Sequence, residues 1–154
     1  MARRSRGCVA ARGEPTLIAA LPVAATFVPG RSLGGVRLGE PAAAVRAHLG
    51  RDYGLCRGCA TTTWYFTYRP FDDKGLAVEL TRGRVSAVYT LWQPDGWQTS
   101  GGLTLGAPRA QVPHAIPVTC SGYEAFVSGT SVYYVVNGSL WGFGLVRRGR
   151  SPCR

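Results

Sequence analysis

Apolar and polar positions along the chain follow two periods that take turns. After Gly35-Val-Arg-Leu-Gly-Glu-Pro41, Ala42, Val45 and Leu49 recur at spacings of three and four and stop at Gly50, which predicts a short helix. Pro41 suits a helix start because its missing N–H is not needed there, and Glu40 sets negative charge at the positive end of the helix dipole. From Thr61 to Tyr68 β-branched and aromatic residues take over, and 70–75 reads as a turn. Leu76–Leu80 and Val85–Leu91 then alternate around the two-residue hairpin turn Arg82-Gly83.

The pattern starts again at Gly102-Leu-Thr-Leu-Gly-Ala-Pro108, with Gly, Leu, Gly and Pro in register with the first stretch. Val112 and Ile116 continue it helically, but Pro113 and Pro117 limit that helix to about one turn. Gly122–Val127, Val132–Val136 and Leu140–Val146 are predicted strands, the last two joined at Asn137-Gly138. The expected fold is α+β: two tandem repeats, each a short helix followed by a three-stranded antiparallel meander. The first repeat occupies 31–92, a linker 93–100, and the second repeat with its C-terminal tail 101–154, after a signal-like or disordered basic segment at 1–30.

Length and composition, 154 residues at 45% hydrophobic, allow a real core. Charge invites a nucleic-acid reading, with 18 basic against 8 acidic residues, until its distribution is followed. Arg3, Arg4, Arg6 and Arg12 precede Gly13, and Arg147, Arg148, Arg150 and Arg154 follow Val146, so the body between them is nearly neutral. No nucleic-acid partner is therefore expected. The N-terminal arginines, followed by the apolar run Thr16–Val28 and the small residues Val23-Ala24-Ala25, have the order of a signal peptide. Arg12, Glu14 and Pro22 interrupt that order, and a disordered basic arm is the alternative. The run is too short to span a membrane, and no later segment is apolar for long enough.

Candidate chemistry is sparse. Cys56-Arg-Gly-Cys59 precedes a Thr-rich strand, not the helix a redox motif uses, and a zinc site would need Cys120 and Cys153, which are not a close pair. Two disulfides, Cys56–Cys59 and Cys120–Cys153, are the economical reading, in an oxidising compartment, with Cys8 in the segment expected to be removed. His48 and His114 have no carboxylate or second His at helical spacing, and Asp72 and Asp73 are turn neighbours that point apart. No catalytic residue, metal or cofactor is expected. Trp92 and Trp97 flank a Pro-Asp-Gly turn, where they fill a seam between two cores, stack on sugars or anchor a partner.

The pattern Gly35-x-x-Leu38-Gly39-x-Pro41, continued by Val45, Leu49 and Gly50 and a three-stranded meander, resembles the repeat of secreted β-lactamase-inhibitor proteins and of small lipoproteins that assist outer-membrane barrel assembly. It is otherwise similar to uncharacterised exported bacterial proteins. The resemblance implies a non-catalytic chain whose units form one concave sheet gripping a partner. It makes Trp64, Tyr68, Tyr89, Tyr133 and Trp141 contact candidates, beside Trp92 and Trp97. The expected function is that of a secreted or extracytoplasmic module, not an enzyme, that binds a protein or cell-envelope component through its sheet face. A small cell-envelope enzyme and a carbohydrate-binding module are the alternatives.

Overall fold

The computed structural model describes residues 26–69 and 72–154, so the signal-like run up to residue 25, its arginines and Cys8 lie outside the described residues. The elements in chain order are β1 (Thr26–Val28), β2 (Ser32–Leu33), α1 (Ala42–Leu49), β3 (Gly54–Leu55), β4 (Thr62–Arg69), β5 (Asp72–Thr81), β6 (Arg84–Leu91) and β7 (Gln98–Thr99). A 3₁₀ turn at Arg109–Gln111 follows, then β8 (Ile116–Thr119), β9 (Glu124–Ser128), β10 (Ser131–Val136) and β11 (Ser139–Val146). Eight strands form one antiparallel sheet in the order β3-β4-β5-β6-β11-β10-β9-β8, and β2-β1-β7 form a small second sheet.

This corrects the expectation of two helix-plus-meander repeats. The chain is mostly β, and the final strands of the two expected meanders pair with each other. β6 and β11 are joined through Tyr89–Gly144, Val88–Leu145 and Ala87–Val146, so one sheet runs through the middle of the molecule. The second helix is reduced to the 3₁₀ turn because Pro113 and Pro117 cannot continue a helix, and Ile116 opens β8 instead. Pro117 fits this edge strand. Cys120 donates its N–H to Tyr123 O at 2.9 Å, so by alternation Ile116 and Val118 face β9 and Pro117 stands where the N–H would point out of the sheet. An edge lacking that donor resists pairing with another chain.

The echoed stretches share a local geometry without dividing the fold. Gly39 (φ 80°) donates to Val85 O and Glu40 O accepts from Val85 N–H, both at 2.8 Å. Gly106 (φ 88°) likewise donates to Leu140 O at 2.7 Å, and Ala107 O accepts from Leu140 N–H at 2.8 Å. Each Leu-Gly-x-Pro is thus a loop clipped beside a hairpin. Both hairpins turn through two positive-φ residues, Arg82-Gly83 (53°, 73°) and Asn137-Gly138 (49°, 76°), the twist that antiparallel strands require.

Alternation sends Trp64, Phe66, Val78, Val88, Leu145 and Phe143 to the face covered by α1, through Val45 and Leu49, and by the small sheet, through Phe27 and Leu33. Phe27, which the hydrophobic pattern left in the N-terminal segment, is wholly buried and stacks on Phe143 at 5.0 Å between ring centres, with Tyr133 edge-on at 5.6 Å. Such ring pairs contribute about 0.5–1.5 kcal/mol each beyond the area they bury. The opposite face carries a smaller cluster, Ala87, Ala125, Val132, Tyr134 and Val146, and its cover is the last stretch of the chain.

Candidate binding site

That stretch lies on the open face as a strap. Arg150 Nη2 donates to Thr81 Oγ1 at 2.7 Å, and Pro152 O accepts from Tyr134 Oη at 3.0 Å. Cys153 is bonded to Cys120, with Cα atoms 5.6 Å apart, and Arg154 N–H donates to Tyr123 Oη at 2.5 Å. The strap ends on a charge pair. Arg154 Nε stands 3.1 Å from Glu79 Oε1, both side chains 13% exposed, although its N–H is not aimed at the carboxylate. The guanidinium also lies 5.6 Å from the centre of the Tyr89 ring. Burial pushes the phenols of Tyr89 and Tyr134 well above the ordinary tyrosine range, with the nearby Glu79 charge adding to the rise.

The strap divides the face into two hollows that share Tyr89 and Arg154. One, of about 480 Å³, is lined by Thr63, Tyr65, Glu79 and Arg150. The other, of about 350 Å³, is the more aromatic, with Tyr89, Leu91, Trp92, Tyr134 and Trp141 around it. Local irregularities build this groove. Between Tyr134–Gly142 and Val135–Leu140 the pairing slips, leaving Trp141 as the extra residue of a β-bulge. Next to it, β6 parts from β11 and the Thr90 side chain fills the gap: its Oγ1 accepts from Phe143 N–H at 3.0 Å and donates to Phe143 O at 3.4 Å. Gly142 and Gly144 give the Tyr134 ring room. A Cβ on Gly144 would come within 2.9 Å of Tyr134 Oη, and one on Gly142 within 2.5 Å of Thr90 Oγ1. Trp92 stands at the rim, 59% exposed and at φ 55°.

The seven aromatic candidates are therefore split between two environments. Trp64 and Tyr133 face the sealed core, and Trp97, 1% exposed, donates its indole N–H to Tyr68 Oη. Trp64, Trp97 and Tyr133 are buried and cannot form an exposed contact surface, and Tyr68 is half-buried against the same core. Tyr89, Trp92 and Trp141 converge on the groove. Trp92 and Trp97 do not make a paired sugar platform, because only Trp92 reaches solvent. Comparison with protein-family models, curated proteins and solved structures finds no match. The groove's chemistry is thus read from its own residues.

Both expected cysteine pairs are disulfides, Cys56–Cys59 having its Cα atoms 5.8 Å apart. Such bonds fit an oxidising compartment. Among the described residues no cluster of three or more His, Cys, Asp or Glu could hold a metal, and no helix is long and apolar enough to cross a membrane. His48 Nε2 is 3.7 Å from Glu40 Oε2, beyond hydrogen-bond reach, and His114 lines a shallow hollow beside Arg109 and Phe126. Asp73 is exposed at the start of β5, whose first residues the sequence pattern assigned to a turn. The hydrophobic pattern missed Tyr134, Leu91 and Arg154. One signal was present: two glycines alternating with aromatics in Trp141-Gly-Phe-Gly144 mark a strand where another group comes close.

Proposed function

We propose that the protein is an exported, non-catalytic binding module that takes an apolar or aromatic side chain of a partner protein into the groove between Trp92 and Trp141. The observation carrying this reading is the groove itself. It combines exposed and half-buried aromatic walls with one guanidinium at its edge, on the face that the strap crosses. Rigid aromatic walls of this kind supply large contact area at low entropic cost, and interface hot spots are rich in Trp, Tyr and Arg. The two disulfides support an extracytoplasmic setting. The likeness to secreted β-lactamase-inhibitor proteins belongs to the same proposal, and the continuous sheet is the feature that agrees with it.

The test is capture from an extracytoplasmic fraction by the oxidised chain and by Trp92→Ala/Trp141→Ala. A specific partner is expected to bind the first, and loss of two hot-spot indoles is expected to weaken it by roughly 30-fold or more. Capture that is indifferent to both substitutions, or no capture at all, would overturn the groove as the binding site.

A further inference from the structure

The arginines at 147–150 look like part of a loose tail in the sequence, but the pairing of β6 with β11 gives them neighbours. β11 runs antiparallel to β6, and the chain continues past it, with Arg147 N–H donating to Ser86 O at 3.0 Å. Beyond Ser86 the place beside β6 is taken by Gly39–Ala42, so 148–150 leave the sheet edge at the same end as the Arg82-Gly83 turn, and Arg150 reaches Thr81, the residue before that turn. Gly149 and Gly83 hold φ 83° and 73°. Two further turns lie at the same end of the sheet: 129–130, whose Thr130 O accepts from Val146 N–H, and 29–31, whose Gly30 N–H donates to Ser131 Oγ.

These four turns form a plate carrying Arg31, Arg82, Arg84, Arg147, Arg148 and Arg150, all exposed, and no Asp or Glu. Among the described residues none of the six is in an ion pair; the nearby Glu40 and Glu79 face His48 and Arg154. Arg82 adds a second observation. Its φ of 53° is the conformation that Asn137 occupies in the other hairpin, and an arginine there forgoes stability that asparagine would bring. The opposite end of the sheet is different, with Lys74 beside Asp95 and Arg109 beside Glu124.

We propose that this end of the sheet docks on an anionic phospholipid bilayer. A plate of turn tips meets a charged plane at several points at once, and guanidinium forks match phosphate oxygens. Ile116 favours a bilayer over a soluble polyanion. It is 72% exposed at the start of the edge strand, opposite Val127 and next to the 129–130 turn, where it can enter the headgroup layer. The proposal does not rest on the groove.

The test is cosedimentation of the full oxidised chain with vesicles of phosphatidylglycerol and phosphatidylcholine, with phosphatidylcholine alone as the reference. Binding to the anionic vesicles only, weakening steeply with salt, is expected. Arg82→Asn/Arg148→Asn is expected to lower affinity about fivefold per arginine, with the thermal midpoint unchanged or raised. Because the full chain also carries Arg3, Arg4, Arg6 and Arg12, a variant with those four replaced by Gln is measured beside it and is expected to retain the dependence on Arg82 and Arg148. Ile116→Ser is expected to weaken vesicle binding and leave binding to inorganic polyphosphate unchanged. Equal binding to phosphatidylcholine, loss of all binding in the N-terminal variant with none in the plate variant, or binding to polyphosphate or duplex DNA but not to vesicles would each overturn it.

Discussion

Arg82, Trp92 and Asn137 are the residues other than glycine that hold a positive φ among the described residues. Asn137 tolerates that conformation through its short polar side chain, whereas Arg82 and Trp92 gain nothing from it locally. Both are exposed, Trp92 at the groove and Arg82 on the arginine plate, the two surfaces proposed to bind. Tyr134 has the reverse balance, buried over two glycines with its hydroxyl spent on the strap. An unfolded tyrosine titrates near pH ~10, but burial holds the phenols of Tyr89, Tyr133 and Tyr134 above that value. The folded chain keeps protons that the unfolded chain releases, so this stabilisation is whole below about pH 10 and declines as pH rises beyond it. Stability is expected to fall in that range, by up to about tenfold in the folding equilibrium per pH unit for Tyr134, with the thermal midpoint falling alongside and Tyr134→Phe falling less steeply. A midpoint that stays level as pH rises contradicts the buried phenols.

Among the elements, the strap has the clearest energetic consequence. Cys120–Cys153 closes a loop with a sequence separation of 33, and Cys56–Cys59 one of 3. In the chain-entropy description these are worth about 4 and about 2 kcal/mol. Cys120→Ser/Cys153→Ser is therefore expected to lower the denaturant midpoint by about twice as much as Cys56→Ser/Cys59→Ser, and to speed amide exchange in β10 beneath the strap. Equal shifts, or unchanged exchange there, would show that the strap is not held by that bond. The hairpins at Arg82-Gly83 and Asn137-Gly138 and both cysteine pairs were legible in the sequence, because their signals are local or arithmetical. The pairing of β6 with β11 was not, since two strand edges far apart in the chain choose each other only through tertiary packing. For the same reason Arg147, Arg148 and Arg150 read as tail charge in the sequence, whereas the structure brings them to the end of the sheet that also carries Arg82 and Arg84. β8 imitated a helix through the spacing of Val112 and Ile116, and β1 was hidden at the end of an apolar run that also reads as a signal.

The described residues are built around one eight-stranded sheet with two unlike faces. One is sealed by α1 and the small sheet, and the other is strapped so that an aromatic groove stays open. The aromatic residues that the sequence offered as one contact set sort onto both faces, because alternation along a strand, not residue type, decides which side a ring occupies. Groove and arginine plate then sit on different surfaces of the same sheet. In the two proposals the open face takes a partner protein while the turn-bearing end docks on a charged plane. The partition of the four tryptophans is the direct measure of this arrangement. With fluorotryptophan in the full oxidised chain and a soluble paramagnetic agent, the resonance of Trp92 is expected to broaden strongly, that of Trp141 partly, and those of Trp64 and Trp97 little. A Trp64 or Trp97 signal broadened as much as that of Trp92, or a shielded Trp92, would contradict a sheet with one sealed and one open face.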